Sequence, residues 1–218
     1  MPSSPGPELL ARGPWSEEQI AVAFHEQRFD PDPAIAAAAD AAIIALRDRG
    51  SPAHDGTAAR LAGFSEPGDG TLALELQTLR WALRLVEEDA SDSLSALCVV
   101  RAADGRWLAG RRAQWLASWP GRWALGAGGA VDAGEHPFST LGRELREEWA
   151  VEAERITAEA LVRLPNGVVM FIGQAWLPDG AEVVPDAEHD EHAWWPAEVD
   201  DWPAEADAPL RLMAGLLA

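Results

Sequence analysis

The sequence predicts an α/β fold with a mixed sheet, preceded by an N-terminal α+β extension. Three observations carry that expectation. Leu94 to Arg101, the turn Asp104-Gly105 and the return Trp107 to Arg111 read as a β-hairpin. Pro137 to Trp149 reads as a helix, with proline suited to its first turn. Ile156 to Leu164 and Val168 to Leu177 flank Pro165-Asn166-Gly167 as a second hairpin.

The remaining elements follow in chain order. Residues 1–14 are rich in Pro, Gly and Ser and are expected to be a flexible leader. Ser16, followed by Glu17 and Glu18, looks like an N-cap opening a helix. Pro33 to Arg49 is alanine-rich and should be helical up to Gly50. His54-Asp55-Gly56 marks a turn, and Ala58 to Phe64 and Leu72 to Leu76 read as strands around Pro67-Gly68-Asp69-Gly70. Leu79 to Glu88 fits helix and strand equally. The expected division is therefore a leader at 1–14, an extension at 15–92 and the main domain at 93–218. The extension is too long for a tail and short for a core of its own. Within the main domain, Trp123 to Val131 holds Gly126, Gly128 and Gly129, which let backbone approach a ligand or metal closely. Glu191 to Trp195 should form the last strand and Pro209 to Leu217 a terminal helix.

Composition narrows the function. The 218 residues are 48% hydrophobic, enough for a sizeable core, and carry a formal net charge of −19. Such a charge speaks against nucleic acid or an anionic membrane as partner, since both attract basic patches. All 17 basic residues are arginine, and the chain has no tyrosine. The one cysteine, Cys98, lies in the apolar run Leu97 to Val100 and should be a buried strand residue. A lone cysteine excludes an intrachain disulfide framework and fits a reducing compartment. The opening MPSSPGPELLARGPW lacks the basic and apolar regions of a signal peptide. No apolar run reaches the length of a membrane span. A cytoplasmic location is expected.

The chemistry is concentrated in Gly129 to Val151, GAVDAGEHPFSTLGRELREEWAV. On a helix, Glu144, Glu147 and Glu148 stand at i, i+3 and i+4 and share one face. Stacked like charges destabilise a bare helix. A hard divalent cation removes that penalty, because Mg²⁺ takes oxygen ligands and bridges carboxylates to phosphate. A solvated acidic face is the bland alternative. The full constellation of one Gly, four Glu and one Arg at fixed offsets arises by chance roughly once in ten thousand sequences of this composition.

This segment resembles the Nudix box, G-x5-E-x7-R-E-U-x-E-E-x-G-U with U aliphatic. Gly129, Glu135, Arg143, Glu144, Leu145, Glu147, Glu148 and Val151 match in register, and Ala150 replaces the final glycine. Alanine in a left-handed helix terminus costs about 1 kcal/mol. The resemblance implies an α/β/α sandwich and a hydrolase that cleaves a nucleoside diphosphate linked to another group. It implies Mg²⁺ or Mn²⁺ on Glu144, Glu147 and Glu148, with the Gly129 carbonyl as a further ligand. Arg143 would pair with a box glutamate, and Glu135 would support the loop–helix junction. Glu147, Glu148, Arg143 and a general base carry catalysis. Among the loop residues Pro185 to Glu191, the family pattern of a glutamate before a strand tryptophan favours Glu191 as that base.

Other residues are weaker candidates. Arg111 and Arg112 end a strand leading toward the box and are candidates to meet phosphate; an exposed edge pair is the alternative. Trp123 is a candidate to stack on a base, although most of the 11 tryptophans should be core. His189 and His192 read as surface histidines. Ser118 to Trp123 is similar to isopentenyl-diphosphate isomerases of the same fold, but those need a cysteine where Gly128 stands, which argues against isomerisation. HDGTAARLAGF and LALELQTLRW are similar to the extension of UDP-sugar Nudix pyrophosphatases. Pro165 falls short of the spacing that marks ADP-ribose specificity. The rival class is a Nudix-fold ligand-binding or regulatory module without turnover. The partner to expect beyond a small-molecule diphosphate is a second copy of the chain, in a homodimer through the extension.

Overall fold

The computed structural model describes residues 6–51, 55–116 and 118–217. The start of the leader and His54 of the expected turn lie outside these. The chain opens with β1 (Glu8–Trp15), β2 (Ile20–His25), α1 (Pro33–Asp48), β3 (Thr57–Ser65), β4 (Leu72–Arg80) and a 3-10 turn at Trp81–Leu85. It continues through β5 (Leu94–Arg101), β6 (Trp107–Arg112), β7 (Trp123–Leu125), β8 (Ala127–Ala130) and α2 (Pro137–Trp149). The last elements are β9 (Arg155–Arg163), β10 (Val169–Trp176), β11 (His189–Trp195) and α3 (Ala208–Leu217).

The large sheet runs β1-β9-β10-β5-β6-β11, with β7 on β6 and β8 on β5. Its β10–β5 pair is parallel, from Val169 opposite Leu94 to Trp176 opposite Arg101, and the neighbouring pairs are antiparallel. The fold is thus the mixed α/β sandwich. Helix α2 places Leu141, Leu145 and Trp149 on one face, against Ala96, Cys98 and Phe171. On the other face Trp107, Trp195 and Trp202 pack with Leu210, Ala214 and Leu217 of α3. Burial of each large apolar side chain contributes about 1.5–3 kcal/mol.

A second sheet, β2-β4-β3, carries the N-terminal unit. Helix α1 buries Ala39 and Ile43 on Leu79, Ala82 and Leu83, at the end of β4 and in the 3-10 turn. This unit is hydrogen-bonded to the large sheet's flank. Ala59 N–H donates to the Val131 carbonyl at 2.8 Å, and Leu61 N–H to the Asp92 carbonyl at 3.0 Å. Arg60 adds Nε to the Ser91 carbonyl at 2.9 Å and Nη2 to Asp92 at 3.2 Å.

Two sequence expectations need correction, and one open reading is resolved. Residues 8–14 are not a leader but most of β1, ordered by pairing with β9. Ser16 caps only a single 3-10 turn, Glu17–Gln19, because Ile20, Val22 and Phe24 then alternate as a strand beside β4. The undecided stretch from Leu79 is strand to Arg80, then 3-10 turn. No helix among the described residues is long and apolar enough to cross a membrane.

Candidate active site

The site is built on the contact of α2 with β8. Pro137 opens α2, and the His136 ring accepts the Phe138 N–H at 3.2 Å as N-cap. The helix ends at Ala150, held left-handed at φ 52° and ψ 34°. Between these ends, Glu144 and Glu148 turn toward β8 and are buried. Glycine lets β8 lie close to Glu144 on one side and to β5 on the other. A Cβ on Gly129 would stand 2.6 Å from the Glu144 carboxyl carbon, and one on Gly128 would stand 2.8 Å from the Ala96 carbonyl. Glu148 Oε1 accepts the Gly128 N–H at 2.9 Å. Burial raises the pKa of Glu148 well above the ordinary value, and the nearby charges of Glu144 and Glu188 push the same way. Burial raises Glu144 as well, against the opposing Arg143 charge.

Arg143 is fully engaged. It meets Glu135 through Nε at 2.9 Å and Nη2 at 3.0 Å. It also meets Glu144 at 2.7 Å, Glu147 at 3.0 Å and the Ala130 carbonyl at 3.1 Å. Those five contacts match the five N–H donors of a guanidinium. Burial favours the neutral form of Glu135, but the bonds from Arg143 and Thr140 outweigh it and leave its pKa below the usual carboxylate value.

These groups line a cavity of about 250 Å³. Glu144, Glu147, Glu148 and Gly129 form one wall with Arg143; Asp132, Asp186 and Glu188 add three more carboxylates. Trp81 and Arg84 of the N-terminal unit complete it. The 177–188 loop is pinned to the helix end, with Val184 N–H donating to the Trp149 carbonyl at 2.9 Å and Asp186 N–H to the Glu148 carbonyl at 2.8 Å.

Several expected site residues lie elsewhere. Glu191 is exposed on β11 and pairs with Arg111 at 2.9 Å, its cross-strand partner. Neither lines the cavity, because strand alternation turns both outward. Arg112 stands behind the cavity wall, with Nη2 3.9 Å from Glu188 and Nε on the Ser118 carbonyl at 3.0 Å. Trp123 packs on Trp195 in the opposite core, with ring centroids 5.5 Å apart. His189 is buried, not a surface residue: its ring stacks near Trp149 at 4.4 Å and lies 3.7 Å from Glu148 and 3.3 Å from Asp186. Burial holds its pKa below the ordinary value.

An all-oxygen donor set of this kind suits a hard divalent cation rather than a soft metal. Among the described residues, no three acidic or histidine side chains already converge as a finished cation cage. Arg143 lies between Glu144 and Glu147 instead. The family model of the NUDIX domain matches residues 92–211, more than half of the chain. The chain belongs to the Nudix family. This Nudix chain is accordingly a pyrophosphohydrolase, of a family that generally uses divalent metal ions. Among solved structures it is similar to a MutT Nudix hydrolase from Burkholderia pseudomallei, at 23% identity over 58% of this chain and 98% of that one, with a TM-score of 0.47. It is also similar to the Nudix domain of Shewanella oneidensis NrtR complexed with ADP ribose, at 23% identity over 56% of this chain and 86% of that one, with a TM-score of 0.44. A third is a C. elegans Ap4A hydrolase, at 23% identity over 56% and 92% of the two chains, with a TM-score of 0.41. Comparison with curated proteins returns no match.

Proposed function

We propose that this Nudix chain hydrolyses a nucleoside diphosphate linked to another group, using Mg²⁺ or Mn²⁺. The observation that carries the reading is the pair of buried carboxylates, Glu144 and Glu148, seated on a glycine strand in an acid-lined cavity. Burying such groups without a cationic partner is costly. Glu144, Glu147, Glu148 and the Gly129 carbonyl are the donors that would hold the ion. When bound, the cation screens phosphate oxygens and lowers the pKa of a bound water.

The chain's own groups supply the rest. Arg143 fixes the rotamers of Glu144 and Glu147, and Glu135 fixes Arg143. Of the two loop carboxylates that line the cavity, Asp186 and Glu188, we assign Glu188, and not Glu191, the proton from the attacking water. Burial raises its pKa, with Arg112 opposing. A base whose pKa moves toward neutrality transfers protons more effectively at working pH.

A phosphate-release screen with Mg²⁺ and a coupled phosphatase tests this reading. The panel covers nucleoside triphosphates, ADP-ribose, nucleotide sugars, dinucleoside polyphosphates and CoA. Turnover of one class, abolished by EDTA and lowered by orders of magnitude in Glu148→Gln, is expected. Turnover unaffected by both would remove the box carboxylates from the mechanism.

A further inference from the structure

The N-terminal unit reaches the cavity through one short turn, and what it delivers there is a cation. Six carboxylates line the cavity against two guanidinium groups, Arg84 and Arg143. Arg143 has committed all its donors within the protein. Arg84 has not. It gives Nη2 to Ser95 Oγ at 3.1 Å and sits 5.5 Å from the Trp81 ring centroid. Among the described residues it forms no ion pair, although Glu144 and Glu188 lie near enough to act on its charge. A partly buried guanidinium that spends one of its five donors among the described residues has a standing need for an anion.

The turn that carries Arg84 is held firmly. Trp81 N–H donates to the Gly56 carbonyl at 2.9 Å. Ala82 and Leu83 are buried on α1. A group positioned by packed neighbours orients a ligand at little ordering cost. The cavity, at about 250 Å³, is smaller than the roughly 300–1,000 Å³ of sites that enclose a whole drug-sized ligand. It suits a diphosphate with its metal ions, leaving the organic groups toward the rim.

We propose that Arg84 is a substrate-binding residue that grips one phosphoryl group of the diphosphate beside the carboxylates that would hold the metal ion. The inference rests on the hydrolase reading above and gives the N-terminal unit a part in the site. A planar fork matches phosphate oxygens in a two-pronged manner that a lysine does not reproduce. The alternative is that Arg84 only neutralises the carboxylates beside it.

Calorimetry on the full chain separates these. Mg²⁺ is titrated alone, and then methylenediphosphonate, a diphosphate that resists hydrolysis, is titrated at saturating Mg²⁺. Arg84→Gln should weaken diphosphonate binding by at least about tenfold while changing Mg²⁺ affinity less than about threefold. Arg84→Lys should fall between, and it carries the test if the glutamine variant does not fold. Diphosphonate affinity equal to wild type in both variants, with Mg²⁺ still bound, overturns the role of Arg84 and leaves the hydrolase reading standing. A wild-type protein that binds neither Mg²⁺ nor diphosphonate overturns both.

Discussion

Glu135 and Arg143 meet as a two-pronged pair, with Nε donating to Oε1 at 2.9 Å and Nη2 to Oε2 at 3.0 Å. The pair ties the loop before α2 to the middle of that helix, and through Arg143 it reaches Glu144 and Glu147. Replacing Glu135 by alanine leaves Arg143 free to pull harder on those two carboxylates. Mg²⁺ binding should weaken about 10- to 100-fold, the usual cost of losing a group that orients metal ligands. Calorimetry checks it; unchanged affinity would show that Arg143 holds its place without Glu135.

Glu188 and Glu191 sit three residues apart and face different surroundings. Glu188→Gln should lower kcat by about 10²–10⁴, the contribution typical of a positioned general base. Glu191→Gln should stay within about threefold of wild type, since it removes only an exposed ion pair. The reverse order of effects would return the base to β11.

Ala150 ends α2 in the left-handed region at φ 52°. Glycine adopts that conformation without the clash that a Cβ brings. Ala150→Gly should therefore raise stability by about 0.5–1 kcal/mol, after allowing for glycine's greater freedom in the unfolded chain. Denaturant melts with unchanged slope would measure it.

Burial raises the folded pKa of Glu148 above its ordinary 4.5. A carboxyl shifted that way lends its full stability below the unfolded value and loses it as pH rises through the folded one. In EDTA, Glu148→Gln should melt near wild type around pH 4.5 and increasingly above it as pH climbs. Saturating Mg²⁺ should reverse the order, because a ligand stabilises the form that binds it. A melting difference that ignores pH would argue that Glu148 is not strained in the metal-free fold.

Cys98 is buried, and that burial pushes its thiol up to about 12, with the Glu148 charge adding to it. Only the thiolate attacks disulfide reagents. The native protein should consume no such reagent at mildly alkaline pH and one equivalent once denatured. A rapid native reaction would mean that β5 opens.

The sequence spoke most clearly where local and tertiary demands coincide. Strand β5 runs Leu94–Arg101 and α2 runs Pro137–Trp149, both as read, because proline, apolar period and the helix-ending position all agree. Strand β1 was illegible: ELLARGPW has no clean alternation, and its conformation comes from β9 beside it. Strand β8, AGGA, is likewise a strand only because β5 lends it a ladder. The cavity carboxylates of α2 could be read from helical spacing, since one face of one element holds them. Glu188 and Arg84 could not. The first depends on where a loop is pinned, and the second on how a separate unit docks.

One outer strand of the large sheet comes from residues 8–15, which lie against β9 from Glu8 opposite Arg163 to Trp15 opposite Ala158. A gene fragment beginning at residue 92 would contain the whole family match yet leave the outer rim of β9 bare. Unpaired rims of that kind invite other chains to add themselves. Anyone trimming this protein to its recognisable portion should expect clumping on expression, and should keep the first fifteen residues attached.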